Sequence, residues 1–198
     1  MHREMTEEHQ HYLESDESDV FGFWLYIMSD CILFSVLFAT FIVLNMPGTG
    51  GPDLKNYIDL KYVLIETFFL LASNFVFGLA VLNLNQDKIA KVQTWLVISF
   101  LFGLCFVFLE LREFINLASE GFRWDYSGKA SSFFTLVGTH GLHVSCGLFW
   151  VLIMIIQLSF IRETHIVKRR MTYLGLFWNF LDIVWIFVFT VVYLVGAL

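Results

Sequence analysis

Six ionisable side chains interrupt otherwise apolar runs, and their types limit the chemistry open to them. His140 and His143 sit in VGTHGLHVSCG, three residues apart, so a helix places them on neighbouring parts of one face. Asp30, Glu66, Glu110 and Asp182 each break a stretch of Phe, Leu, Ile and Val. An Asp at the centre of a membrane helix costs about 2.5 to 3.5 kcal/mol on insertion scales, so each such residue invites a functional explanation. Asp30 lies ten residues into its run, roughly 15 Å along a helix rising 1.5 Å per residue. Glu66 and Glu110 fall closer to the ends of their runs, and Asp182 lies eight residues into the last. Carboxylates in these places can bond to another helix, contact lipid headgroups or relay protons. A relay needs a series of such groups, whereas these four are expected on different helices and at different depths.

The histidines do not make a cofactor site by themselves. A bis-histidine haem takes its ligands on opposite faces of the ring, which neighbours on one helix cannot supply. A di-iron carboxylate site needs Glu-x-x-His pairs on facing helices, and the apolar runs contain none. The expectation is a pair of histidines hydrogen-bonded inside a bundle. Ser132, Thr135, Thr139, His143 and Cys146 recur at three or four residues and predict a polar stripe that faces protein. Gly138, Gly141, Ser145 and Gly147 would let another helix approach closely. Trp178, Asp182, Trp185 and Phe189 follow one another at four, three and four residues, which puts the acid on an aromatic packing face. No phosphate-binding loop and no nucleophile paired with a base is present.

The elements that carry these residues are long. Crossing about 30 Å of hydrocarbon takes roughly 20 apolar residues, and five runs qualify: 20–44, 62–84, 95–115, 131–161 and 174–198. Transmembrane barrels show alternating segments of about ten residues, so the predicted fold is all-α, an integral membrane bundle of five helices. Residues 1–19 form an acidic tail, expected to be disordered, and 20–198 form the membrane domain. The tail lacks the basic stretch of a cleaved signal and the first run is too long for one, so that run should stay in the mature chain. Segment NMPGTGGPD reads as a turn-rich connection. Transport is disfavoured, because both prolines fall in this connection and five spans do not divide into inverted repeats.

Composition agrees. Of 198 residues, 58% are hydrophobic and only 15% charged, against about a quarter charged in soluble domains. The formal charge of −6 belongs to the tail, where Arg3 faces Glu4, Glu7, Glu8, Glu14, Asp16, Glu17 and Asp19; the remainder balances. No basic patch marks a nucleic-acid footprint. Cys31, Cys105 and Cys146 lie in apolar runs without a CxxC pair and are expected to be small buried residues rather than disulfide or zinc ligands. His2, His9 and His11 are expected to be solvated. Lys88, Lys91, Arg162, Lys168, Arg169 and Arg170 flank the second and fourth connections compactly. Lys55, Lys61, Arg112, Arg123 and Lys129 are spread over the first and third, so the positive-inside rule predicts a cytoplasmic N-terminus and a periplasmic C-terminus.

Several stretches then carry a resemblance: FGFWLYIMSDCILFSVLFATF, ETFFLLASN, GLCFVFLELREF, VGTHGLHVSCGLFW and FLDIVWIFVFTVVYLVGAL. In that order they resemble subunit III of the haem-copper terminal oxidases, most closely the five-helix form of bacterial bo-type ubiquinol oxidases, from about residue 20 to the C-terminus. The resemblance implies a non-catalytic subunit of the bacterial inner membrane with no cofactor of its own. Haems and copper would sit in partner subunit I, subunit II and a small subunit IV would complete the complex, and ubiquinol would be the substrate of the whole. It further implies phospholipid binding and support of proton uptake, with Asp30 at the family's buried carboxylate and His140 and His143 on its T-H-G-x-H pattern. The family's Trp-His-Phe-Leu-Asp motif reads Trp178, Asn179, Phe180, Leu181, Asp182 here, so a titrating histidine is missing at Asn179. Two alternatives stand beside this expectation: subunit III of a bacterial cytochrome c oxidase, and an autonomous ion-coupled transporter.

Overall fold

The computed structural model describes residues 2–46, 59–86, 89–125, 127–160 and 164–195. Five helices follow in order: α1 His2–Leu44, α2 Leu60–Asn85, α3 Ile89–Ser119, α4 Gly128–Phe160 and α5 Thr164–Val188, with α5 continued by a π-helical segment Phe189–Val195. There is no strand among the described residues. All five are long and apolar enough to cross a membrane, over Val20–Leu44, Leu60–Leu84, Ile89–Ser119, Gly128–Phe160 and Val167–Leu194. The second to fifth spans differ from the sequence reading by a few residues at one or both ends. Most of the NMPGTGGPD connection, and with it Lys55, lies outside the described residues, as do Lys88, Arg162 and the side chains of His2, His9 and His11.

The chain forms two compact units, residues 1–36 and residues 37–198. In the first, α1 does not begin at the apolar segment. It continues back through the acidic residues to His2, where composition alone predicts disorder. The tail has no Gly or Pro before Gly22 and is rich in Glu, Gln and other residues of good helix propensity, so a helix can extend through it. Ser29 and Ser35 donate back to the carbonyls of Tyr26 and Cys31, both at 2.7 Å, a local way of satisfying hydroxyls along an apolar helix.

In the second unit each helix from α2 to α5 packs on the next, and α5 returns to α2, closing a four-helix ring. The α2–α3 contact is the most extensive. Its centre is a pair of fully buried serines: Ser73 donates to the Ser99 carbonyl at 2.9 Å and Ser99 to the Ser73 carbonyl at 2.8 Å. Small side chains bring the two backbones within reach of each other, the usual solution where apolar burial gives helices no preference over lipid.

Helix ends follow from local chemistry. Asp59 caps α2 by accepting from the Lys61 amide at 3.0 Å. Ser127 caps α4 by accepting from the Ala130 amide at 3.2 Å. Helix α3 ends in a Schellman turn: Gly121 takes φ +91°, its amide reaches the Ala118 carbonyl, and the Phe122 amide reaches that of Leu117. Phe122 and Leu117 are both buried, which completes the hydrophobic part of that motif.

The outer surface is as apolar as the interior, with Phe75 70% exposed and Phe108 65%. This inversion explains two departures from expectation. Cys31, Cys105 and Cys146 are exposed rather than buried, because a thiol in an apolar run suits a lipid-facing surface as well as a core. The predicted polar stripe on α4 coincides only in part with its packing face, with Ser132 buried and Thr139 and His143 half-buried. Thr135 and Cys146 are exposed, and the buried face instead carries Phe133, Leu136, His140, Val144, Gly147 and Val151. Serine and threonine on a membrane helix can satisfy their hydroxyls on the preceding turn, as Thr135 does on the Ser131 carbonyl at 2.7 Å. Polarity alone therefore does not point inward.

Candidate functional site

Two helices, α2 and α3, bring three carboxyl groups together near one end of the ring. Glu66 is one and a half turns into α2, and Glu113 lies as far from the last residue of α3, so these antiparallel neighbours align them. Glu110 sits one turn deeper on the same face of α3. Glu66 is fully buried with neither oxygen bonded, Glu110 is 3% exposed with one oxygen unbonded, and Glu113 is 7% exposed. The three lie close enough to feel one another's charge. From the π-helical segment, fully buried Tyr193 donates its hydroxyl to Glu113 Oε2 at 3.0 Å. Tyr62 donates to the Leu109 carbonyl at 3.3 Å. Above them opens a cavity of about 200 Å³ lined by Asp59, Tyr62, Glu113, Asn116, Leu117 and Glu120. The carboxylates expected at scattered positions thus include two, Glu66 and Glu110, that the fold gathers around a third.

His140 is buried one layer further in, between rings. Phe106 meets it edge-on at 6.1 Å and Trp185 lies at 5.1 Å. Trp185 is fixed in turn by its indole N–H, which donates to Thr67 Oγ1 at 3.0 Å. His143 is half-buried on the side of the helix, where its Nδ1–H donates to the Thr139 carbonyl at 2.7 Å. The two histidines therefore do different things, one in the aromatic core and one on its own helix.

Glycines set the distances between α3, α4 and α5. A Cβ on Gly147 would meet Trp178 Cζ3 at 2.7 Å and Phe177 Cε1 at 3.2 Å, and one on Gly103 would meet Leu148 Cδ2 at 2.6 Å. A Cβ on Gly141 would meet both Glu110 oxygens at 2.6 Å, so the carboxyl packs directly on the α4 backbone. Gly138 is less confined, with Phe114 at an ordinary 3.6 Å. Trp178 fills the space that Gly103 and Gly147 leave, and is 1% exposed.

Asp182 belongs to neither cluster. It lines a groove between α2 and α5 together with Asn74 and Asn179. Asn74 donates to Asn179 Oδ1 at 2.8 Å. The asparagine in the family's histidine place is thus held by an amide from α2. Asp30 lies on α1 in the first compact unit, sharing a helix face by spacing with Ile27 and Phe34.

Glu113, Tyr193 and Asn74 were not singled out by the sequence. Glu113 follows Arg112 and Glu110, a run that reads as the end of a span. Its signal was periodic: Glu110, Glu113 and Leu117 fall on one buried face, while Arg112 is exposed. Among the described residues no group of three or more His, Cys, Asp or Glu side chains is placed to hold a metal ion.

Five apolar helices, four of them closed into a ring around aromatic side chains, define a multi-pass α-helical membrane protein. Comparison with known proteins narrows the class. The family described as Cytochrome c oxidase subunit III matches residues 1–197. The chain is 51% identical over 185 residues to cytochrome bo(3) ubiquinol oxidase subunit 3 of Pseudomonas putida, covering 93% of this chain and 89% of the relative. It is 49% identical over 195 residues to the protein of that name from Pseudomonas aeruginosa, covering 98% and 93%. Quinol oxidase subunit 3 of Bacillus subtilis is 39% identical over 183 residues, covering 92% and 90%. The chain belongs to the cytochrome c oxidase subunit III family.

Proposed function

We propose that this chain is the third subunit of a bacterial haem-copper quinol oxidase, a complex that oxidises ubiquinol, reduces oxygen to water and pumps protons. The observation that carries the reading is colinear likeness to quinol oxidase third subunits across nine-tenths of both chains. The interior is compatible with a supporting role, since Phe106, His140, Trp185 and Tyr193 fill the ring with side chains in contact. In this reading the haems and copper belong to subunit I, subunits II and IV complete the complex, and the N-terminus is cytoplasmic. This chain stabilises subunit I, holds phospholipid and supports proton uptake, with Asp30 as the protonatable residue concerned.

Purification in mild detergent through a tag on this chain tests the reading. Subunits I and II should copurify, and the complex should consume oxygen with ubiquinol. Recovery of the chain alone, with proton or substrate flux after reconstitution, would replace it with the transporter reading. The description of the family favours a second donor, cytochrome c. Oxygen consumption by the same preparation with reduced cytochrome c, and none with ubiquinol, would select it.

A further inference from the structure

Glu66 and Glu110 are buried in a way that leaves their oxygens without donors. Both oxygens of Glu66 and Oε1 of Glu110 are sealed from solvent and accept no hydrogen bond. Glu110 also has no room for an added partner, because its carboxyl lies against the α4 backbone at Gly141. The groups that act on Glu66, Glu110 and Glu113 are one another and the Tyr193 hydroxyl, with no lysine or arginine among them. Arg112 is exposed. From α4, His140 packs between Phe106 and Trp185.

This environment separates two forms of a carboxyl group. A buried carboxylate needs donors or a cation to replace its water, and neighbouring carboxylates repel one another. A carboxylic acid carries its own donor and no charge, so sealed oxygens without partners suit it. Glu113 is placed differently. Of the three, it alone lines the cavity of about 200 Å³, which is roomy enough for several water molecules. Tyr193 donates to its Oε2, and a charged acceptor strengthens such a bond. Asp59, Tyr62 and Glu120 stand around the same cavity.

We infer that Glu66 and Glu110 form a proton-binding site, each held as a carboxylic acid, and that Glu113 passes protons between them and the water of the cavity. Exchange conserves charge. Glu113 accepts a proton from a cavity water and hands it to the neighbouring acid, whose own proton returns by the same path to the water. The site stands on this chain's residues alone and is independent of the quinol oxidase reading.

Infrared spectroscopy tests it on the full-length chain, purified in mild detergent with the partners it retains. Glutamine matches a carboxylic acid in shape and charge, so Glu66→Gln and Glu110→Gln should both fold. At neutral pH each variant-minus-wild-type spectrum should show the loss of one C=O stretch of a protonated carboxyl. In Glu113→Gln both bands should remain. Their shift in D2O should then appear at least about tenfold more slowly, since a positioned side chain speeds proton transfer by roughly 100-fold or more. Loss of a carboxylate stretch in place of an acid band, or failure of either glutamine variant at Glu66 or Glu110 to fold, would overturn the site. Unchanged exchange in Glu113→Gln would overturn the route.

Discussion

Gly147 and Gly78 are both glycines on membrane-spanning helices, yet opposite effects follow from their surroundings. At Gly147 a methyl group would press on the rigid ring of buried Trp178 at 2.7 Å, with Phe177 behind it. Overpacking of this kind costs about 1 to 3 kcal/mol, so Gly147→Ala should lower the stability of the folded chain by that amount. Gly78→Ala meets nothing and gains helix propensity, and should be neutral or stabilising by up to about 1 kcal/mol. Reversible unfolding of the two variants in bicelles compares them directly. The Trp185–Thr67 bond makes a second residue-scale prediction. Trp185→Phe and Thr67→Val should each destabilise, and the double variant by less than their sum. The coupling should be about 0.6 kcal/mol, the mean for interhelical bonds in membranes. These positions were only partly legible in the sequence. Gly147, Trp178 and Trp185 could be chosen as packing residues from type and spacing. That Gly147 faces Trp178, and that Thr67 holds Trp185 across a separation of 118 residues, depends on which helices meet.

At the scale of an element, α3 shows why boundaries are harder to read than spans. Glu110, Arg112 and Glu113 in succession look like the water-exposed end of a helix, and the sequence places that end near residue 115. The helix runs on to Ser119 because the charges divide between faces, with the acids turned inward and Arg112 outward. A window that averages hydropathy cannot see this division, although a count by helical face can. The true end is set by Gly121 at φ +91°. An L-residue in the left-handed region costs about 1 to 2 kcal/mol, so Gly121→Ala should destabilise the chain by that amount and Gly121→Asn by less. The measurable signature is earlier amide exchange in residues 117–122 of the alanine variant, with the α2–α3 serine pair still protected.

For the whole molecule, the five spans and the all-α class follow from hydropathy because the bilayer leaves a backbone few alternatives. The closure of α5 onto α2 does not follow, since it depends on surface complementarity between helices far apart in sequence. The same closure aligns Tyr193 with Glu113 and Asn179 with Asn74. Orientation is a further whole-chain property, carried by a modest excess of basic residues at one side. The connections bearing Lys91 and Lys168, Arg169 and Arg170 are proposed to face the cytoplasm, and the Schellman turn after α3 to face the periplasm. Cysteines placed singly at Glu120 and at Arg169, both exposed, test this in a chain whose Cys31, Cys105 and Cys146 are replaced by serine. In intact spheroplasts an impermeant maleimide should label position 120 at once and position 169 only after permeabilisation. The reverse pattern would invert the chain. It would also move the opening beside Glu113 to the cytoplasmic side, where proton uptake by the complex would begin.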